Sequence, residues 1–420
     1  MKASHNRIRG LLGYRWGRVL ILGLLYMVQG LPFGFQVGAL PVFLFDQGVD
    51  IQSIGYATAL ALPWALKIVW APMVERFGGQ TGQRRRWILP LQAGMVVAFL
   101  VASQLSLPQM LPQLMGLLLL LNFMAATQDI AVDGLAVDLL PPEDLGIGNA
   151  AQVVGFKVGM TIAGGILVWL TGRIDWSGAF VCMAGLVGMV ALLLVAVPEP
   201  EEKGVQAEGA TESVFHILRT LWNAVRVPGT PLILGVIATY KMGESIIDIM
   251  FKPFLLEHGI LAAELGLWMG TWGMGASILG SVAGGVLAMR VRLLPLLAVA
   301  GTIRLVPELG QLGLAMGLIE VVPSRVIAIT LAEHFAGGIL TTAMFASMMG
   351  WVDRRIGATH FTLLASVEVW GKSVAAFVSG LIAQQLGYSG AFAIGITVGV
   401  VFLVLVTRLP ASMEPGRQLR

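Results

Sequence analysis

The chain has 420 residues, of which 56% are hydrophobic and 12% are charged, and its formal net charge at pH 7 is +3. A soluble globular protein carries about 25% charged residues, so the composition excludes that class and predicts a helical membrane protein. The single cysteine, Cys182, excludes an intrachain disulfide.

Recurrent apolar runs of membrane-spanning length predict an all-α membrane protein with twelve transmembrane helices. The spans are expected near residues 19–44, 52–74, 87–107, 111–137, 148–171, 178–197, 230–256, 264–288, 293–318, 324–350, 358–385 and 388–407. Arg15 and Arg18 precede an apolar run too long for a signal peptide, so this run is expected to be the first helix.

A polar, Glu-rich segment over 198–228 divides the chain and has the composition of a flexible linker. It separates two predicted six-helix halves, as in the major facilitator architecture. The predicted domains are an N-terminal half at 1–198, a cytoplasmic linker at 199–228, a C-terminal half at 229–410 and a cytoplasmic tail at 411–420.

Basic residues outside the predicted spans alternate between loops, which sets the orientation by the positive-inside rule. One side carries only Arg173 and Arg325. The other side carries Lys2, Arg7, Arg9, Arg15, Arg18, Arg76, Arg84, Arg85, Arg86, Lys203, Arg219, Arg226, Arg290, Arg292, Arg354, Arg355, Arg408, Arg417 and Arg420. Both termini and the linker are therefore predicted to be cytoplasmic.

The fourth predicted span contains two carboxylates, Asp129 and Asp133, which are one helical turn apart and share a face. A charge at that depth costs about 2.5–3.5 kcal/mol on insertion scales. Such residues persist only beside a cavity or a partner, or for a function. The pattern indicates a polar interior and favours transport.

Other charges also fall inside predicted spans. The bases are Lys67, Lys157, Lys241, Lys252, Arg304 and Lys372, and the other acids are Glu244, Asp248, Glu308, Glu333 and Glu368. Lysines can bind anionic substrates, and acids can carry protons. Each residue could instead form a salt bridge between helices, and the residues alone leave both roles open.

A stripe along the seventh span combines acids and bases at spacings of three and four residues: Lys241, Glu244, Asp248 and Lys252. The stripe either lines a cavity or pairs with neighbouring helices. Arg304 and Glu308, at i and i+4, are more typical of a local ion pair.

The loop between spans two and three combines acidic and basic residues at Glu75, Arg76, Arg84 and Arg85. This arrangement resembles the loop motif of major facilitator proteins, and the resemblance implies a gate that latches one access state. Positive-inside anchoring alone is the alternative. Aromatic residues of the spans either stack on sugar rings or serve in packing. They are Tyr26, Phe33, Phe35, Trp64, Phe156, Tyr240, Trp272 and Trp370.

The sequence has no phosphate-cradling glycine loop, catalytic triad or metal-ligand cluster, so no enzyme, cofactor, metal site or nucleic-acid partner is predicted.

Several motifs resemble the AmpG-type muropeptide permeases and the acetyl-coenzyme A transporters of the major facilitator superfamily. The matching segments start at Gln29-Gly30-Leu31-Pro32, Lys67-x-x-Trp70-x-Pro72, Gln128-Asp129, Gly155-Phe156-Lys157, Tyr240-Lys241, Glu333 and Gly371-Lys372. Lys157 and Lys372 stand where the permeases are expected to have arginine, and lysine lacks the planar fork that grips a carboxylate. Glu244 replaces an expected aspartate.

The resemblance implies proton-driven import of anhydro-muropeptides, as amino-sugar peptide anions, by a monomer in the bacterial inner membrane. It assigns proton coupling to Asp129, Asp133, Glu244 and Glu333. It assigns substrate binding to Lys67, Gln128, Lys157, Tyr240, Lys241 and Lys372. Acyl-coenzyme A or another organic anion is the alternative substrate, and a non-transporting scaffold on the same fold is a third interpretation.

Overall fold

The structure, a computed structural model, describes residues 14–46, 60–78, 83–105, 109–197 and 213–415. Its elements in this part of the chain are helices. The first eight are α1 (Arg15–Gly34), α2 (Leu40–Asp46), α3 (Leu62–Leu66), α4 (Ala71–Gly78), α5 (Arg85–Ala102), α6 (Leu111–Leu139), α7 (Leu145–Thr161) and α8 (Leu167–Ala196).

The remaining α-helices are α9 (Val214–Arg226), α10 (Thr230–Thr239), α11 (Met242–Glu257), α12 (Ala262–Leu265), α13 (Met274–Arg290), α14 (Leu293–Ala315), α15 (Pro323–Trp351) and α16 (Gly357–Arg408). Wider π-turns at Phe35–Ala39, Ile162–Ile166 and Gly266–Gly273 continue neighbouring helices, and 3₁₀ turns lie at Lys67–Val69, Pro142–Asp144, Arg354–Ile356 and Ala411–Met413.

Nine helical stretches of the described chain are long and apolar enough to cross a membrane. The last, Arg354–Arg408, has 55 residues, whereas one crossing needs about 20. Gly387 breaks its helical geometry with φ 71°, between the predicted eleventh and twelfth spans. Residues 52–59 of the predicted second span lie outside the described residues. The count of twelve therefore stays a prediction, while the helical membrane architecture is confirmed.

The predicted seventh span, 230–256, is not one continuous helix. It forms α10 and α11, with a break at Tyr240 and Lys241. Gly243 at the start of α11 packs directly on backbone, because an added Cβ would lie 2.3 Å from the carbonyl oxygen of Gly395. Periodicity cannot reveal such a break, since apolar residues continue through both helices.

The chain divides into two compact units. The first comprises the described residues of Met1–Leu140, Ala151–Leu221 and Val352–Thr362, and the second those of Pro141–Ala150, Trp222–Trp351 and Leu363–Arg420. Each unit thus includes a short segment from the opposite predicted half. Helix α9 lies where a flexible linker was expected, and residues 198–212 of that linker lie outside the described residues.

Glycines allow close helix packing within each unit. In the first unit, α1 contacts α7 so closely that a Cβ on Gly159 would lie 2.1 Å from the carbonyl oxygen of Met27. In the second unit, a Cβ on Gly280 of α13 would lie 2.0 Å from the carbonyl oxygen of Phe335 on α15. Small residues let membrane helices approach in this way, where no hydrophobic effect drives their association.

Candidate functional site

The first unit contains a buried charged cluster built from Lys67, Asp129 and Asp133. The ammonium of Lys67 is ion-paired with the carboxylate of Asp129 and lies 3.8 Å from an oxygen of Asp133. The side chains of these residues are 5%, 10% and 1% exposed, so water screens them little. The paired carboxylates predicted from the helical spacing do lie together, and their shared cation is Lys67.

Local chain geometry presents Lys67 to this cluster. Lys67 begins a 3₁₀ turn between α3 and α4, in a segment that also contains Pro63 and Pro72. Proline has no backbone N–H to donate, so Pro72 prevents one regular helix from running through the segment.

Two further polar side chains orient Asp133. The hydroxyl of Tyr26 on α1 donates a hydrogen bond of 2.7 Å to Asp133, and the amide of Gln152 on α7 donates one of 3.4 Å. Tyr26 is 1% exposed, so of the two roles considered for the aromatic residues it has the structural one, and its hydroxyl orients the acid. Gln152 did not stand out in the sequence, because nothing in its spacing linked it to Asp133.

The charges of this cluster do not balance. Two carboxylates and one ammonium leave one uncompensated negative charge in a buried site, which is costly unless a proton or a cation neutralises it. The other carboxylate oxygen of Asp133 accepts no hydrogen bond among the described groups. A buried pair of carboxylates beside one ammonium is an arrangement in which one carboxylate can bind a proton.

Three aromatic rings pack on one another near this cluster. The ring centroids of Phe33, Trp64 and Phe156 lie 5.7–6.1 Å apart. The indole of Trp64 donates to Asn122, which is two helical turns from Asp129 on α6. All three rings are partly exposed, which is the property needed to stack on a sugar ring.

Two other residues predicted to bind substrate lie in the first unit. Gln128 is fully buried, and its amide donates to the carbonyl oxygen of Leu25 at 3.5 Å. Lys157 is partly buried and directly follows Phe156 on α7. Of these two, Lys157 has the more accessible side chain.

The second unit contains a cluster centred on Arg304 of α14. Its guanidinium contacts Glu244 at 2.8 Å, Glu308 at 3.0 Å and Glu333 at 2.5 Å. The expected pair with Glu308 is thus present, but it is one contact of three. The other two contacts could not be predicted from spacing, because Glu244 and Glu333 lie on different helices, α11 and α15.

Two residues of the polar stripe of the seventh span pair with each other. Lys241, at the helix break, contacts Glu244 at 2.8 Å. Asp248 lies close to this group, whereas Lys252 is exposed and does not share its environment. Discontinuous helices frequently form binding sites in transporters, since their ends leave backbone groups unpaired.

Three carboxylates of this cluster are close enough to hold a cation. Glu244, Asp248 and Glu333 each offer an oxygen, and these oxygens lie within 4.8 Å of one another. Arg304 contacts two of the three residues and already supplies a positive charge there. The donor set therefore suits the guanidinium better than an additional metal ion.

Lys372 and Tyr240 also belong to the second unit. Lys372 contacts Glu368 at 3.2 Å, and its side chain is 42% exposed. Among the paired lysines Lys67, Lys241 and Lys372, this side chain is the most exposed. The Tyr240 hydroxyl is buried and interacts electrostatically with Glu368 and Glu244.

The loop motif forms a buried network around Arg84. Arg84 donates to Glu75 at 2.9 Å and to Asp138 at 3.1 Å. The second oxygen of Glu75 accepts the backbone N–H of Thr359 at 2.8 Å. Thr359 lies in the first turn of α16, where a carboxylate is stabilised by the helix dipole. Burial acts to lower the pKa of Arg84, but Glu75 and Asp138 outweigh it and raise the pKa above the usual value for arginine.

The basic residues of the loop differ in their environments. Glu75 pairs with Arg84 and not with its neighbour Arg76, which is exposed and lies over the ring of Phe77. Arg85 is partly buried. A Cβ on Gly134 would lie 2.6 Å from the guanidinium carbon of Arg84, so α6 needs a glycine at this position.

The chain matches known transporters over most of its length. It is 27% identical over 406 residues to the anhydromuropeptide permease of Escherichia coli strain K12. The aligned region covers 95% of this chain and 81% of that permease. A relative in Rickettsia felis, whose name places it among AmpG transporters, is 25% identical and covers 94% of this chain and 96% of that one. The family model "Acetyl-coenzyme A transporter 1" matches residues 18–173.

Solved structures show the same fold at low sequence identity. The proton:xylose symporter XylE superposes with a TM-score of 0.72 at 11% identity, covering 97% of this chain and 100% of that one. The human organic anion transporter MFSD10 superposes with a TM-score of 0.68 at 16% identity. That match covers 92% of this chain and 98% of the human transporter. Both are major facilitator transporters in fold. The chain therefore has the major facilitator fold, and it is similar over most of its length to an anhydromuropeptide permease and to AmpG transporters.

Proposed function

We propose that this transporter imports anhydro-muropeptides together with protons across the bacterial inner membrane. The observation that carries the proposal is the buried cluster of Lys67, Asp129 and Asp133 near the partly exposed aromatic rings. The cluster suits a proton and an anion, and the rings suit a sugar. The name of the Escherichia coli relative supports this substrate class.

The coupling step follows from the competition for Lys67. When Asp129 is ionised, its ion pair occupies the ammonium. Protonation of Asp129 removes that charge and leaves Lys67 with Asp133 at 3.8 Å, so that the ammonium can also bind a carboxylate of the substrate. Proton and substrate anion then favour each other's binding, because coupling between two sites is reciprocal.

Substrate binding would combine stacking and charge. Phe33, Trp64 and Phe156 would stack on the amino-sugar rings, and Lys157 would bind a peptide carboxylate near them. In the second unit we assign anion binding to Lys241 and Lys372, whose side chains are 21% and 42% exposed. Glu244 and Glu333 share Arg304, so we assign the coupling proton to Asp129 or Asp133 first.

We further propose alternating access by movement of the two predicted six-helix halves, 1–198 and 229–410, with both termini in the cytoplasm. Glu75 and Arg84 would stabilise one access state, since Glu75 also binds the first turn of α16. Breaking these contacts would then be a step of each transport cycle.

A second candidate substrate is acetyl-coenzyme A or a related acylated anion. The family model over residues 18–173 favours it, and that region includes Lys67 and Lys157. The same lysines would bind phosphate, although less selectively than arginine, whose planar fork matches two oxygens.

Uptake into liposomes tests the proposal and separates the candidates. The purified protein is reconstituted, and uptake of labelled anhydro-muropeptide is measured under an imposed proton gradient with acetyl-coenzyme A as competitor. We expect gradient-dependent uptake that the competitor does not change. Uptake blocked by acetyl-coenzyme A would favour the second candidate, and absence of uptake by folded protein would refute import of muropeptides.

A further inference from the structure

Helix α9 has an apolar face that the rest of the protein leaves partly uncovered. Phe215, Leu218 and Trp222 recur at i, i+3 and i+7, so they lie on one side of the helix. They are 74%, 46% and 55% exposed, whereas Ile217 is 3% exposed and packs against protein. The helix thus has one side against the protein and a neighbouring apolar side exposed to its surroundings.

Positive charge borders the exposed apolar side. Arg219 and Arg226 are exposed, and the guanidinium carbon of Arg226 lies 4.5 Å from the ring centroid of Trp222. The segment Val214–Arg226 contains no acidic residue. Polar His216 and Asn223 are exposed on the side away from the apolar stripe. An apolar stripe with a basic edge and a polar side beyond that edge is typical of a helix that lies in a membrane surface.

The neighbours of α9 in the chain place it near such a surface. Helix α8 belongs to a predicted membrane crossing and ends at Ala196. The apolar helix α10 begins at Thr230, four residues after the end of α9. Because α10 begins the predicted seventh span, a helix so close to its start is expected to lie near the level where the chain enters the bilayer. Tryptophan and arginine are both favoured at that level.

We propose that α9 is an interfacial helix that binds anionic phospholipid headgroups. Phe215, Leu218 and Trp222 insert among the acyl chains next to the headgroups, and Arg219 and Arg226 bind the lipid phosphates. The positive charge of a segment without acids selects anionic over zwitterionic lipid, since each arginine near an anionic surface contributes about fivefold in binding. This binding site does not depend on which substrate is transported.

Site-specific fluorescence in defined bilayers tests the proposal on the full chain. In a Cys182→Ser background, Leu218→Cys and Asn223→Cys are each labelled with NBD and placed in nanodiscs of phosphatidylcholine with or without phosphatidylglycerol. We expect the label at 218 to shift to the blue and to be quenched by doxyl-labelled lipid, most strongly with phosphatidylglycerol. The label at 223, on the polar side, serves as the matched control and should stay unquenched.

Replacing both arginines, with Arg219→Gln and Arg226→Gln, should remove the added effect of phosphatidylglycerol while leaving the protein folded, because both side chains are exposed. A label at Phe215→Cys provides a second reporter if Leu218→Cys does not fold. A water-like label at 218 in phosphatidylglycerol would overturn the proposal. So would a blue-shifted label that lipid quenchers do not reach, which would mean that protein covers this face.

Discussion

Lys67 is ion-paired with Asp129 across 62 residues of sequence, and both side chains are buried. Removing one partner of a buried pair leaves an uncompensated charge, which costs about 3–5 kcal/mol. We therefore expect Lys67→Met to lower the free energy of unfolding by that amount. The double variant Lys67→Met with Asp129→Leu should recover much of it, as measured by thermal denaturation in detergent.

Lys252→Met is the matched control for this pair, because Lys252 is a lysine of a predicted span whose side chain is exposed. Lys252→Met should change the free energy of unfolding by no more than about 0.5 kcal/mol. Equal loss of stability in Lys67→Met and Lys252→Met would contradict the assigned pair.

Arg304 holds three carboxylates, so its replacement should be among the most damaging in the second unit. We expect Arg304→Gln to destabilise the protein by at least about 3–5 kcal/mol. Arg325→Gln is the control, because Arg325 and Glu320 form an ion pair with side chains 50% and 74% exposed. Such surface pairs contribute about 0–1 kcal/mol. Similar melting temperatures for the two variants would argue against Arg304 as the centre of the cluster.

Glu75 joins the loop motif to α16 and should control its opening. Glu75→Gln weakens the contacts with Arg84 and with the backbone N–H of Thr359. We expect faster hydrogen exchange at the amides of residues 357–362, by about tenfold or more, since hydrogen bonds to charged groups contribute about 1.5–3 kcal/mol.

Arg76→Gln is the control for the loop, because Arg76 is exposed. It should leave this exchange unchanged. Unaltered protection of residues 357–362 in Glu75→Gln would remove Glu75 from the latch.

Helix contact in the first unit depends on Gly159. A Cβ there would lie 2.1 Å from the Met27 carbonyl oxygen, which is backbone and cannot move aside. Gly159→Ala should cost about 1–3 kcal/mol through overpacking. A Cβ at Gly116 on α6 meets nothing within 4 Å, so Gly116→Ala should be neutral or stabilise the helix by up to about 1 kcal/mol. Equal melting temperatures for both variants would refute the close approach of α1 and α7.

Much of the architecture could be predicted from local patterns. Apolar runs indicated the helices, and the spacing of Asp129 and Asp133 showed that they share a face. The predicted boundary between the last two spans coincides with the break at Gly387. These features depend on residues close in sequence, for which helical periodicity is sufficient.

The partners of each charge could not be predicted in the same way. Periodicity shows which residues share a face but not which helix lies opposite, so Lys67 was one of six equivalent bases. The role of Arg304 depends on α11 and α15, and nothing in the order of the loop residues shows that Arg84 rather than Arg76 is the partner of Glu75. The break at Tyr240 and Lys241 likewise has no signal in the apolar pattern.

Proton-driven accumulation by Asp129→Asn is the measurement that tests the central claim most directly. Liposomes containing the wild type or the variant are given the same proton gradient, and uptake of labelled anhydro-muropeptide is compared with exchange across membranes that lack a gradient. We expect the wild type to accumulate substrate and the variant to lose accumulation while retaining exchange. Full accumulation by Asp129→Asn would contradict the coupling role of this carboxylate.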